Sequence, residues 1–190
     1  MVHAFLIHTL IPGSTKLLYH QIYAQDSQLR HVSDNGVIGE RKRCLVECAA
    51  QVHSEYQFRR AVLGRSVEDD VQRIHSEDTL PEFELGYTRL EKDSPFNTEK
   101  IAVWLGAGYT CFTLICEKTE NRMLAETVLK TLIRFLQQHV GLLTSPTEAC
   151  TKPERISVIL DKFLPQGNLL FMNHRVIRQL EKETESIIKQ

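Results

Sequence analysis

The 190-residue sequence has almost no excess of charge of either sign: 23 basic side chains face 24 acidic ones, a formal net of −1. Near neutrality lacks the one-signed field that gathers nucleic acid around a protein, so no direct nucleic-acid contact is expected. No run of lysines and arginines is present that would hold a chain on anionic lipid by itself. Hydrophobic runs are short as well. Val2 to Leu10 is too brief to cross a bilayer and lacks the basic region of a secretory signal. Position 2 is Val rather than the glycine that myristoylation needs, and the final Ile-Ile-Lys-Gln is no prenylation signal. Any membrane association is therefore expected to be peripheral, through partners, from the cytoplasm.

Catalytic signatures are equally scarce. There is no Gly-x-Ser-x-Gly elbow, no His-Glu-x-x-His helix and no Walker-type phosphate loop. Gly106-Ala107-Gly108 precedes a strand pattern instead of a helix, which argues against a dinucleotide loop and predicts a hairpin turn. The five cysteines (44, 48, 111, 116 and 150) are odd in number and sit in apolar patterns, as expected in a reducing compartment. Cys44 and Cys48 lie one helical turn apart, but zinc would want two further ligands and His53 is off their stripe. Cys111 and Cys116 have opposite parity on one strand and should face opposite ways. Glu126 and the glutamates between 181 and 185 read as solvated or ion-paired helix-surface groups. No catalytic, metal-ligating or cofactor-binding residue is assigned.

What is present is a core. With 42% hydrophobic residues, the chain can fill one compact α/β domain spanning residues 1–190. Val2 to Leu10, apolar on both parities, predicts a central strand; Lys16 to Tyr23 predicts its partner beyond the Pro12-Gly13-Ser14 turn. Residues 24–38 read as polar loop, with Asp34-Asn35-Gly36 as breaker. A helix is expected from Gly39 to about Leu63, burying Leu45, Ala49, Val52 and Tyr56. The acidic stretch 65–81 reads as a mobile surface insert.

Three strands follow: a half-buried edge through Phe83, Leu85 and Tyr87, then Ile101–Leu105 and Tyr109–Cys116. Met123 to Val140 is the clearest helix. Thr151-Lys152-Pro153-Glu154 predicts a capping box ahead of a helix burying Ile156, Ile159, Leu160 and Phe163. A final amphipathic helix begins near Asn173. The pattern predicts an α+β fold: a five-stranded antiparallel-type sheet with one helix on one face, two on the other, and a C-terminal helix.

This order is similar to the longin-type fold of the adaptor small subunits. The opening Met-Val-His-Ala-Phe-Leu-Ile-His-Thr-Leu, the block Lys100–Leu136 and the tail Arg155–Glu183 resemble the sigma family. Val103-Trp104-Leu105-Gly106, Phe163-Leu164-Pro165 and Leu169-Leu170-Phe171 resemble the sigma subunits of the fifth adaptor-protein complex in particular. Segments 24–38 and 65–98 carry no such likeness.

The resemblance implies a non-enzymatic subunit of a heterotetramer, packed on a large chain's helical-solenoid trunk. The implied partners are the zeta and beta large subunits, the mu medium subunit, and spatacsin and spastizin. The implied role is vesicle-mediated transport at late endosomes and lysosomes. Other sigma subunits help bind acidic dileucine signals; the matching region here would include Ala107, Tyr109 and Ile133. One alternative is a SNARE-like or GTPase-regulator longin scaffold, although the chain ends before a heptad-bearing tail. Another is an enzyme with a Cys or His nucleophile. An indirect association with DNA double-strand break repair, with the nucleus as a second location, is the weakest implication.

Overall fold

A computed structural model describes residues 1–23, 34–76, 81–92 and 96–188. Five strands form one antiparallel sheet: β1 (Val2–Thr9), β2 (Leu17–Ile22), β3 (Glu84–Leu90), β4 (Lys100–Ala107) and β5 (Thr110–Glu117), in the order β2-β1-β5-β4-β3. The chain's apolar run occupies β1, whose eight residues are all buried, as are those of β4. Strands with no polar face belong at a sheet's centre, between layers of helix. The edge strands β2 and β3 are mostly half-buried, and Phe83, Leu85 and Tyr87 pack there as their alternation requires.

Alternation divides the interior in two. Phe5, Ile7, Val103, Leu105, Phe112 and Leu114 line one face, covered by helices α3 (Arg122–Val140) and α5 (Pro153–Phe163). Ala4, Leu6, Ala102, Trp104 and Ile115 line the other, covered by α1 (Asp34–Leu63) through Leu45, Cys48, Val52 and Tyr56. Side chains of this size stabilise by roughly 1.5–3 kcal/mol each when fully buried. The C-terminal helix α6 (His174–Ile188) lies against α5, with Ile177 and Leu180 partly buried. The layering is the expected one: one helix, sheet, two helices, and a last helix outside.

Helix α3 is closed at both ends. The Asn121 side chain accepts from the Leu124 amide at 3.1 Å, and Gly141, at φ 81°, donates back to Leu136 and Gln137. Such caps satisfy backbone groups that have no partner within the helix. Asn173 caps α6 likewise, accepting from the Val176 amide at 2.9 Å.

Four local expectations are corrected. Asp34-Asn35-Gly36 does not break the chain; it forms the first turn of α1, five residues earlier than the apolar stripe suggests. Helix starts tolerate these residue types, because their amides have no intrahelical acceptor to lose. Residues 24–33 lie outside the described residues. Second, the segment 65–81 is not a plain loop: Val67–Ser76 is a helix, α2, although 77–80 lie outside the description. Its acids Glu68, Asp69 and Asp70 sit in the first turn, where the helix dipole favours negative charge. Third, the β4–β5 turn is only Gly108-Tyr109. Gly106 and Ala107 pair with Cys111 and Thr110 inside the sheet, and Gly108 takes the positive φ of 55° that a two-residue turn demands. Fourth, Thr151 is no capping residue. It ends a short helix α4 (Glu148–Thr151), donates back to Glu148, and leaves Lys152 as an uncapped start with Pro153 first in the helix. Proline at that position needs no amide partner, so the cap is dispensable.

Candidate functional site

Cys48 and Cys111 are fully buried in the α1-side core, Cys116 in the other core, so Cys111 and Cys116 do face opposite ways. Burial pushes all three thiols up, Cys111 and Cys116 to about 12, whereas a nucleophilic cysteine needs a lowered value. Cys44 is half-buried and its thiol is also raised, by burial first and then by Glu40. Only Cys150 is exposed. Native-state alkylation followed by intact mass is therefore expected to label Cys150 rapidly and Cys44 slowly. Cys48, Cys111 and Cys116 should react only on unfolding, and rapid modification of any of these three would contradict the packing.

His8 is wholly buried and lowered to about 4, chiefly by desolvation. The neutral ring donates from Nδ1 to the Thr9 carbonyl and accepts at Nε2 from the Thr113 hydroxyl, each at 3.3 Å. The Thr15 hydroxyl and His53 Nδ1 share a 2.6 Å hydrogen bond. These are structural hydrogen bonds that tie β1 to β5 and α1 to the β1–β2 turn. Among the described residues, no group of three or more His, Cys, Asp or Glu side chains is arranged to hold a metal ion.

The residues that the resemblance places in a dileucine-binding region do not line one open pocket. Ala107 and Ile133 are fully buried in the core, and only Tyr109 reaches the surface. Helix α2 lies over the adjoining hairpin turn. A Cβ added to Gly108 would sit 3.2 Å from Ile74 and 3.6 Å from Val71. Asp70 anchors this helix through a 2.8 Å ion pair to Arg60, whose side chain is only 5% exposed. Arg60 also donates to the Ser66 carbonyl. The periodicity of Val67, Val71 and Ile74, at one-turn spacings, was the sequence signal for this docked helix, masked by the five acids around it.

The exposed apolar surface is more telling. Along α1, Val46, Ala50, Ser54, Phe58 and Val62 recur every fourth residue and all are exposed, forming one uncharged row on the side away from the sheet. Phe58 is 67% and Val62 69% exposed, and Leu63 extends the patch. Ordinary solvent-facing helix rows carry charge; an uncharged one ending in exposed aromatic and aliphatic groups has the composition of a contact surface. Met123 and Phe171 are exposed elsewhere.

Residues 1–185 match the model of the family "AP-5 complex subunit sigma-1". The chain belongs to that family. It is 34% identical to the AP-5 complex subunit sigma-1 of Homo sapiens, covering 96% of both chains. It is 31% identical to the mouse (Mus musculus) protein of the same name, over 76% of this chain and 91% of that one. In three dimensions this sigma-1 family member is similar to a chain in a homology model of the full-length AP-3 complex in a stretched open conformation. That likeness covers 100% of this chain and 96% of the other, with a TM-score of 0.51 and 12% identity, and it bears on the fold alone. The sheet and its helix layers are thus those of an adaptor small subunit. No helix among the described residues is long and apolar enough to cross a membrane.

Proposed function

We propose that the chain acts without catalysis, as the small subunit of the fifth adaptor-protein complex, with residues 1–190 working as one unit. Membership of the sigma-1 family over residues 1–185 carries the assignment to an adaptor complex. The uncharged α1 row supplies the physical means of assembly. Its partners are then the zeta and beta large subunits and the mu medium subunit, with spatacsin and spastizin associated. Its task is vesicle-mediated transport at late endosomes and lysosomes, from the cytosolic face.

The mechanism rests on shape and burial. A sheet braced by helices on both faces is rigid, and a rigid block seated on a solenoid fixes the solenoid's curvature. Obligate interfaces of this sort bury more than about 2,000 Å² in total and resemble a core cut in half. Phe58 and Val62 are the anchors such an interface needs near its centre. A double substitution Phe58→Asp and Val62→Asp is expected to abolish co-purification with the zeta subunit from cells. The emission of Trp104, the sole tryptophan, should stay unchanged, because neither residue touches the core. The unaltered chain expressed alone should precipitate or self-associate at concentrations where the co-expressed pair stays dispersed. A stable lone monomer, with no large adaptin captured from cells, would remove the proposal. Capture of a small GTPase in its place would favour the regulator-scaffold reading.

A further inference from the structure

At the corner where β4 begins, β5 ends and α3 starts, a cleft of about 330 Å³ opens on the α3 side of the sheet. Three cations line it: Arg89 of β3, Lys118 just beyond β5, and Arg122, the first residue of α3. Tyr87 and Ile101 form the apolar part of the wall. Lys100 of β4 borders the cleft, but its side chain lies on the opposite face of the sheet with its register partners Leu90 and Glu117, where it is only 4% exposed and pairs with Glu117 at 2.6 Å. Among the described residues the only carboxylate in the lining is Glu99, shared between Arg89 at 2.6 Å and Lys118 at 2.7 Å. Lys118 and Arg89 together hold Glu99 below the usual carboxylate range. Glu126 is engaged with Lys130 at 2.6 Å and accepts from the Tyr87 hydroxyl at 2.7 Å.

Three positive charges meet one carboxylate, and among the described residues the cleft keeps a net of +2. The first turn of α3 adds no acid to offset this, and its free amides add a partial positive charge. A net of +2 focused in a concave site matches a dianion. A phosphate monoester carries about that charge at neutral pH and offers three acceptor oxygens. Arginine forks are the donors best suited to those oxygens. The cleft holds roughly eleven water volumes at about 30 Å³ each, which leaves room for a polyol ring behind the phosphate. Beside Arg122, Met123 stands 71% exposed, an apolar side chain at the rim of a cationic site.

We infer that this cleft binds the phosphate monoester of a phosphorylated inositol headgroup, with Arg122, Arg89 and Lys118 as ligands. The site lies within the folded chain and does not depend on the adaptor reading. The three cations are spread over residues 89–122, so no basic run betrays them. Glu99 is the resident anion, bridging two of the ligands until the phosphate competes for them.

The test uses the full chain, or the co-expressed complex, against three probes. These are soluble inositol trisphosphate, vesicles of phosphatidylcholine alone, and the same vesicles doped with phosphatidylinositol monophosphate. Soluble headgroup should bind, and Arg122→Glu should weaken it by at least about tenfold, as losing and reversing a charge-assisted contact implies. Arg178→Glu changes the net charge equally but lies on α6, outside the cleft lining, and should leave binding within about twofold. Met123→Ser should weaken only the doped vesicles. Binding of soluble headgroup but not of doped vesicles keeps the phosphate site and assigns it to a soluble inositol phosphate. Binding of neither probe, or equal losses from Arg122→Glu and Arg178→Glu, overturns the inference. Co-purification of the zeta subunit is read on the same Arg122→Glu protein, so failure of assembly is told apart from failure of phosphate binding.

Discussion

Replacing Gly86 by alanine is expected to cost about 3 kcal/mol or more, the upper end of what overpacking a closed core does. In a chain of this length that corresponds to a fall of roughly 6–12 °C in the melting midpoint. Gly86 faces Trp104 across the β3–β4 pair, and a Cβ built there would lie 2.0 Å from one ring carbon of Trp104 and 2.2 Å from another. No rotation of a methyl group relieves such an overlap, so the indole itself must leave its seat. That seat is built from three sides. The indole Nε1 donates to the Thr88 hydroxyl at 2.9 Å, the Arg59 guanidinium lies 5.3 Å above the ring, and Tyr56 meets it edge-on at 6.2 Å. Arg59 in turn donates to the Leu85 carbonyl at 2.7 Å, so a displaced indole disturbs the contact between α1 and β3. Because Trp104 is the only tryptophan, its emission should shift to the red before any denaturant is added. Gly39→Ala is the control: it is helical, a Cβ there meets nothing within 4 Å, and the change should be neutral or stabilise by up to about 1 kcal/mol. An unshifted spectrum and an unchanged midpoint in Gly86→Ala would mean that Trp104 does not pack as described.

The same contact marks how far the sequence could be read. The parity of Ala4, Phe5, Leu6 and Ile7 assigns each to its face of the sheet, and the structure puts each there. Period and parity are local properties, so a strand or a helix with a long apolar stripe declares itself. Gly86 carries no such signal: its need for emptiness arises from Trp104, eighteen residues on, and exists only once β3 and β4 pair. The α1 start at Asp34 was hidden for a related reason. Its first turns lack an apolar stripe, and a polar helix start has the composition of a loop.

The interaction surface was partly legible and partly not. The resemblance in the opening strand, the Lys100–Leu136 block and the tail pointed to the sigma family, and the family match bears that out. The Val46-to-Val62 row passed unnoticed because the buried stripe beside it, through Leu45, Val52 and Tyr56, satisfies the helical period by itself. Apolar residues on the opposite face of an amphipathic helix look like noise until exposure is known. The cations at 89, 118 and 122 are invisible in sequence for a different reason. Three strands and a helix must register before those charges share one cleft.

The second large effect belongs to Asp70. Asp70→Ala leaves the Arg60 guanidinium, 5% exposed, without its carboxylate. Removing one member of a buried pair costs about 3–5 kcal/mol, because the remaining charge stays desolvated. The loss should be local. A ten-residue helix does not hold its shape alone in water, so α2 survives only while docked. Its apolar anchor is small, chiefly Ile74 with Val71 against the hairpin turn. Beside the ion pair, Arg60 donates to the Ser66 carbonyl and Asp70 accepts from the Gly108 amide at 3.4 Å, while among the described residues Arg60 Nε and the Tyr56 hydroxyl are buried without a partner. Hydrogen exchange of Asp70→Ala should therefore show lost protection across residues 67–76, with β1, β4 and β5 unaffected. Trypsin should cut quickly after Arg65 and Arg73. The paired change Arg60→Met with Asp70→Leu removes both charges at similar volume and should restore protection, because the penalty comes from the stranded cation and not from the missing attraction. If the double variant exchanged as fast as Asp70→Ala, the ion pair itself would be what holds α2 over the turn. If neither exchanged faster than the unaltered chain, α2 would be held by its apolar face alone.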